Sequence, residues 1–344
     1  MSGDILSDVL RTVRLRGALF FHVGGSRTWA AEAPASREIA AAVMPGAEHV
    51  MEYHLVTRGR CWAAIVGGTP VSLGPGDVVV FPHGDAHVVS SAPGLRARVD
   101  LQDYFDPPAE QRPFGVRLPD AGARHDVAVD DGAETVIVCG FLGCDLRPFN
   151  PLIATLPRLL HVEASADRDW LAAFMGQAVG ESRRKRPGGE AMLERMSEMM
   201  FIDAVRRHAD ALPAESRGWL AGLRDRFVGR ALALLHESPA TAWTVEELGR
   251  RTGLSRSALH ERFVELVGQP PMQYLASWRM QVAASLLRDT RATVASVAAD
   301  VGYESEAAFA RAFKRIVGQS PGAWRRQAGT PAPAAARRAV AQDR

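Results

Sequence analysis

An α+β fold is expected for this chain: an antiparallel β-barrel in the first half, followed by an all-α part that holds two helix-turn-helix units. Three observations predict it. Short apolar runs broken by Gly, Pro and Asp fill Gly17 to Cys144, helical periodicity takes over from about Asp167, and an internal repeat of about 50 residues lies near the C-terminus. With 344 residues, 47% hydrophobic and 23% charged, the chain is long enough for two or three folding units, and disorder as a whole is excluded. No run approaches the roughly 18 consecutive apolar residues of a membrane span. The start, Met1-Ser-Gly-Asp4, places an acid where a secretory signal needs bases. A cytoplasmic protein without membrane contact is expected. Its cysteines, Cys61, Cys139 and Cys144, are too few for a disulfide framework and match no zinc-finger spacing, which fits a reducing compartment.

The elements follow in order. Ile5, Leu6, Val9, Leu10 and Val13 share one face of an opening helix over Asp4 to Val13. Cys61 to Val66, Val71 to Leu73 and Val78 to Phe81 are strand runs separated by Gly67-Gly68 and by Gly74-Pro75-Gly76-Asp77, the punctuation of an antiparallel sandwich or barrel. Trp170 to Ser182 and Glu190 to His208 are helical patterns on either side of a basic turn, Arg183 to Gly189. Pro213 to Gly218 is a linker, and the low-complexity tail from Gln327 is expected to be disordered. These boundaries give units over 1–165 and 219–326, with connecting helices over 166–218 between them and a tail over 327–344.

The repeat is the strongest signal. Thr244 and Gly253 recur 49 positions later as Thr293 and Gly302, while Phe263, Gly268, Gln269 and Pro271 recur 50 later as Phe313, Gly318, Gln319 and Pro321. In each copy a Thr caps a short helix, a glycine ends it, and Ser255 or Ser305 caps the next helix. Glu247, three residues after Thr244, completes a capping box. A second helix held this way projects its polar side into a major groove about 12 Å wide.

Leu259, Phe263, Leu266 and Val267 form the inner stripe of the first such helix, turning Ser257, His260, Glu261 and Val264 outward. In the second, Phe309, Phe313, Ile316 and Val317 face inward. Ala307, Ala310, Arg311 and Lys314 face outward, with Ser305 and Glu306 at the helix start. Arg311 suits a bidentate contact to guanine, His260 a base edge, and Glu261 the amino group of cytosine. Arg256, Arg262, Lys314 and Arg315 are placed to grip phosphates. Between the copies, Pro271 to Asp289 makes a helix of about 28 Å, close to the roughly 34 Å between successive major-groove faces. Charge agrees. Trp219 to Arg326 carries fifteen basic against ten acidic side chains, net +5, whereas Met1 to Arg217 is net −5.

Val301-Gly-Tyr-Glu-Ser-Glu-Ala-Ala-Phe309-Ala-Arg-Ala-Phe-Lys314, followed by Gly318-Gln-Ser-Pro321, resembles the signature of the AraC/XylS-type DNA-binding domain, and Trp278 to Leu287 resembles its linker helix. The resemblance implies a transcription regulator, frequently an activator in that family, with recognition helices over Arg256 to Val267 and Glu306 to Val317. Double-stranded DNA is then the partner, and RNA polymerase a second one for an activator.

Pro75-Gly-Asp-Val-Val-Val-Phe-Pro82-His-Gly-Asp-Ala-His87 resembles the second motif of cupin barrels, and His54 to Trp62 resembles the strand region of the first. Such barrels hold metal through histidines and a carboxylate on adjacent inner strands. His54, His83 and His87 are the candidate ligand-binding residues, with Glu52 or Asp85 as an oxygen donor. The pattern departs from the metal-holding type, because Val56 stands where a second histidine is expected and no glutamate follows near Arg58 and Arg60. No cofactor is expected. A bound metal, an organic-ligand pocket and a purely structural barrel stay open, as do a thiol switch at Cys139 and Cys144 and their burial as small hydrophobes. No catalytic triad or phosphate loop is legible.

Two functions are weighed: a DNA-binding regulator that responds to a small effector in the barrel, and a metal-dependent cupin enzyme with a regulatory helical domain. Apolar faces around Trp170, Leu171, Phe174 and Met175, and around Leu193, Met196, Met200 and Ile202, suit a homodimer interface or a cover for the protein's own barrel.

Overall fold

The computed structural model describes residues 4–99, 101, 104, 114–118, 124–125, 132–164, 177, 180, 184 and 187–329. The chain divides into two compact units, one of Leu15–Cys144 with Leu156–Ala211, the other of Met1–Arg14, Asp145–Thr155 and Leu212–Arg344.

In the first unit the strands are β1 (Arg16–Gly25), β2 (Ala30–Ala33), β3 (His49–Arg58), β4 (Cys61–Ile65), β5 (Val71–Leu73), β6 (Val78–Phe81), β7 (His87–Ser90), β8 (Phe114–Leu118), β9 (Arg124–His125), β10 (Thr135–Cys144) and β11 (Leu160–Val162). They form a seven-stranded sheet, β11-β6-β3-β10-β1-β8-β9, and a four-stranded sheet, β2-β7-β4-β5. All neighbours are antiparallel except β1 and β8, which run parallel. The expected closed barrel is therefore replaced, among the described residues, by two open sheets. Alternation of apolar and polar residues is the same in a sandwich as in a barrel, so the sequence pattern does not separate them.

Val23, Val56, Val79, Phe81 and Ile137 from the larger sheet meet Cys61, Ala63, Leu73 and Val89 from the smaller one in a single apolar cluster. β10 is buried along its whole length, as a central strand covered on both faces must be. Part of that cover is a helix absent from the sequence reading, α2 (Ser36–Val43), which follows the opening helix α1 (Ile5–Thr12) in chain order. It lays Ile39 and Val43 against Val50 and Phe141. Helix α3 (Gly189–Ala211) lies against β1 so closely that a Cβ on Gly17 would stand 2.3 Å from the Glu194 carbonyl. Leu193, Met196 and Met200 of the expected dimer face are buried within this unit, the alternative weighed for them, while Met192 and Met199 are exposed. The helix expected over Trp170 to Ser182, with Leu171, Phe174 and Met175, lies outside the described residues except for Gln177 and Gly180, as does the tail from residue 330.

The second unit gathers α1 with α4 (Trp219–Arg224), α5 (Val228–Glu237), α6 (Val245–Thr252), α7 (Arg256–Val267), α8 (Pro271–Asp289), α9 (Val294–Asp300), α10 (Glu306–Val317) and α11 (Pro321–Gly329). The opening helix thus groups with the C-terminal helices, where Gln281 of α8 donates to the Thr12 carbonyl and accepts from the Phe149 amide.

The predicted caps form. Thr244 accepts from the Glu247 amide, Ser255 from Ala258, Thr293 from Ser296 and Ser305 from Ala308. Gly268 and Gly318 close their helices at φ of 81° and 85°, a conformation that costs a residue with a Cβ energy and glycine little. One detail differs: the Glu247 carboxylate does not complete a capping box but bonds Arg250 and Arg251, whose two guanidiniums outbid one backbone amide. Helix α8 serves both helix pairs. Tyr274 and Trp278 lie toward the aromatic cluster of Trp219, His236 and Phe263, whereas Met280, Ala283, Ala284 and Leu287 pack with Val297, Phe309, Phe313 and Trp324. Helix α11, also unread in the sequence, starts at Pro321 as α8 starts at Pro271, and its Trp324 indole donates to the Ala284 carbonyl at 3.0 Å.

Candidate functional sites

Two sites emerge, one in each unit. On α7, Arg256, Ser257, His260, Glu261 and Arg262 are exposed, and on α10 and its cap so are Ser305, Glu306, Ala307, Arg311, Lys314 and Arg315; Ala310 is half-buried. Periodicity explains the set, since Leu259 and Phe263, like Phe309 and Phe313, are wholly buried on the opposite faces. Leu266, Val267, Ile316 and Val317, expected inside, are only half-buried at the helix ends.

The basic residues are not equivalent. Arg256 lies 3.0 Å from Glu246, and Arg262 donates from Nε to Asp225 at 2.9 Å while resting near the Phe227 ring. Asp225 also caps the amides of Phe227 and Val228, so Arg262 ties α7 to the start of α5. Arg311, Lys314 and Arg315 make no hydrogen bond or ion pair among the described residues, which leaves the positive face of α10 available to an anion. At the positions of Arg311 and Arg315, α7 carries Glu261 and Glu265.

In the sheet unit a cavity of about 420 Å³ is lined by Phe21, Val23, Trp29, Val89, Tyr104, Val116, Ile137 and Phe141, with Glu52, His54, His87 and Cys139 grouped among them and Arg96 and Arg98 also lining it. Strand register makes the grouping. Glu52 and His54 share one face of β3, Cys139 stands opposite His54 on β10, and Phe81 of the neighbouring strand stacks on His87 at 3.7 Å. His83, predicted with this group, is exposed and bonds the Leu156 carbonyl instead. The carboxylate of Asp85 pairs with Arg158, and only its backbone carbonyl reaches the site. Cys139 had no sequence signal as a partner of His54, because register between strands 85 residues apart is not local.

The hydrogen bonds fix the tautomers. Asp85 O only accepts, at 2.9 Å, so His87 Nδ1 carries the proton and His87 Nε2 is an acceptor. His54 Nε2 must then donate across 2.6 Å, leaving His54 Nδ1 to accept from the Cys139 thiol at 2.9 Å. The chain is complete and uncharged. Burial holds the pKa of His54 well below the usual imidazole value and that of His87 at about 4, and keeps the Cys139 thiol protonated. Glu52 receives a hydrogen bond from the Ser36 hydroxyl on Oε1 at 3.2 Å, and its Oε2 stands 3.7 Å from His87. With burial dominant and only a neutral hydroxyl to offset it, its pKa is pushed up to about 8.

Glu52, His54 and His87 bring one donor atom each within 4.8 Å of one another. Their arrangement does not fit an ion. Two nitrogens bound to one tetrahedral metal lie about 3.3 Å apart at metal distances of 2.0–2.1 Å, whereas these two are hydrogen-bonded to each other at 2.6 Å. Cys139 and Cys144 are both buried on β10, five residues apart. They consequently point to opposite faces, roughly 17 Å distant along the strand, beyond the reach of a disulfide in this fold.

The sequence matches the family described as Cupin over residues 4–210 and a Helix-turn-helix domain over residues 248–327. An "AraC-like transcription regulator" of Streptomyces lividans is 32% identical over 95% of this chain and 100% of its own length. The HTH-type transcriptional regulator AlkR of Acinetobacter baylyi is 28% identical over 94% of this chain and 99% of its own. The crystal structure of the DNA-binding domain of AdpA, a global transcriptional factor, in complex with a target DNA is 32% identical, covers 30% of this chain and 92% of that one, and has a TM-score of 0.29. This chain belongs to the AraC-type transcription regulators that carry an N-terminal cupin domain. Relatives that match nearly the whole chain are named regulators, which does not favour the enzyme alternative. Among the described residues no helix is long and apolar enough to cross a membrane.

Proposed function

We propose that this regulator reads duplex DNA with two helix-turn-helix units, α6–α7 and α9–α10, mounted on α8, and that a small effector in the cavity of the sheet unit sets how well it does so. The effector-binding role falls to the sheets within residues 1–165 and the DNA-binding role to residues 219–326. One observation carries the reading: two helix pairs closed by the same Thr, Ser and Gly caps present their exposed polar faces from a single shared helix. The two heads have different chemistry. Arg311 and Lys314 give α10 a guanine-reading and phosphate-gripping face, whereas His260 and Glu261 give α7 a weaker, more selective one, so the two half-sites should differ in sequence.

Arg311→Ala is expected to weaken specific binding by about 1–3 kcal/mol and relax one base position without changing thermal stability. Arg315→Ala should weaken binding to all sequences and lower the slope of log K against log salt by about 1. Anisotropy titrations of the full chain against selected and scrambled duplexes at several salt concentrations separate the two. A loss with Arg315→Ala confined to one duplex contradicts the phosphate role.

A further inference from the structure

The floor of the cavity allows the effector's chemistry to be read, on the premise that the cavity is the effector site. His54, His87 and Cys139 spend every polar atom on one another and on the Asp85 carbonyl, so they have nothing left to offer a ligand. Glu52 is the exception. One oxygen is engaged by Ser36, while Oε2 lies beyond hydrogen-bond distance of His87 and belongs to a side chain that lines the cavity. Among the described residues no Arg or Lys pairs with this carboxyl, whose side chain is 4% exposed, and an uncompensated interior carboxylate is costly enough that the group keeps its proton. Among the described residues, the guanidiniums lining the cavity are those of Arg96 and Arg98, both exposed, and that of Arg96 is already bound to Glu32 at 2.7 Å.

We infer that the cavity takes an uncharged, mainly apolar molecule carrying one hydroxyl or carbonyl oxygen, which accepts a hydrogen bond from the Glu52 carboxyl while its body lies against Phe21, Trp29, Val89, Ile137 and Phe141. The volume of 420 Å³ equals that of about fourteen waters, room for a compact organic molecule of roughly a dozen non-hydrogen atoms. A carboxylate ligand would set a second acid beside Glu52. An ammonium at the cavity floor would find only the Glu52 carboxyl for its three protons, since His54, His87 and Cys139 are spent on one another and on the Asp85 carbonyl.

The test is calorimetric titration of the full chain with four matched probes: phenylbutanol, phenylbutyrate, phenylbutylamine and butylbenzene. Phenylbutanol should bind, with the other three at least about tenfold weaker, because a site built around a hydroxyl leaves a polar group unpaired with the hydrocarbon. Glu52→Gln, whose amide also donates, should keep phenylbutanol affinity within about threefold and Glu52→Ala should lose at least about tenfold, with melting curves confirming that both fold. Between pH 7 and pH 9 the wild-type affinity should fall about tenfold as Glu52 loses its proton, and that of Glu52→Gln should stay level. The groups facing Glu52 do not mimic this: His54 and His87 are already neutral, Cys139 titrates higher, and Ser36, Phe81 and Phe141 do not titrate. Equal or tighter binding of the acid or the amine, or binding of none of the four, overturns the ligand class. The effector premise fails separately if phenylbutanol binds in the cavity and is blocked by Ala31→Trp, yet operator affinity is the same with and without it.

Discussion

Asp145→Ala is expected to destabilise the helical unit by about 3–5 kcal/mol, the cost of removing one partner from a buried ion pair. Asp145 receives Arg14 Nε and Nη2 at 2.9 and 3.0 Å and lies 2.7 Å from Arg288 of α8. Its side chain is 4% exposed and that of Arg288 is 11% exposed. Removing the carboxylate leaves the buried Arg288 guanidinium beside that of the partly exposed Arg14, with only Asp289 at 3.7 Å as counter-charge, and burial already lowers the pKa of Arg288. Replacing all three by apolar residues of similar volume should cost far less, because the attraction between buried charges roughly balances their lost hydration. Urea unfolding followed by circular dichroism at 222 nm distinguishes the two variants. Similar midpoints for both would show that the triad's charge is not what holds α1 and residues 145–155 on α8.

Phe313→Ala is expected to cost about 3–5 kcal/mol and to abolish specific DNA binding together. Phe313 is fully buried, packs edge-on to Trp324 at 6.2 Å and 5.5 Å from Phe309, and seats α10 on α8. Arg311, two residues earlier on the opposite face, makes the contrast: its loss should spare stability and touch only recognition. The variant pair therefore separates the seat of the helix from its message. Thermal melts run beside anisotropy titrations check it, and wild-type DNA affinity for Phe313→Ala would contradict the assigned role of α10.

What was legible in the sequence was local. Thr244, Gly268, Ser305 and Gly318 announce their helix ends because capping bonds span three or four residues, and the 50-residue repeat doubles each signal. Glu52 and His54 share a face by the alternation of a strand alone. Long-range register was not legible. His83 stands one residue after the proline that ends the strand of Phe81, so its side chain leaves the cavity, while Cys139 enters it through a pairing 85 residues away. The small residues Ala40 to Ala42 carry no strong pattern, and α2 went unread among the strands. Arg14, Asp145 and Arg288 are unremarkable charges in sequence and meet only in the fold.

In the proposed function two helices of one chain, α7 and α10, read successive grooves. Selection of the full-length protein against a pool of random duplexes, followed by hydroxyl-radical footprinting of the winners, tests it directly. Two protected patches on one face, about 34 Å apart and unlike in sequence, are the predicted result. A single patch, or patches on opposite faces of the duplex, would contradict it.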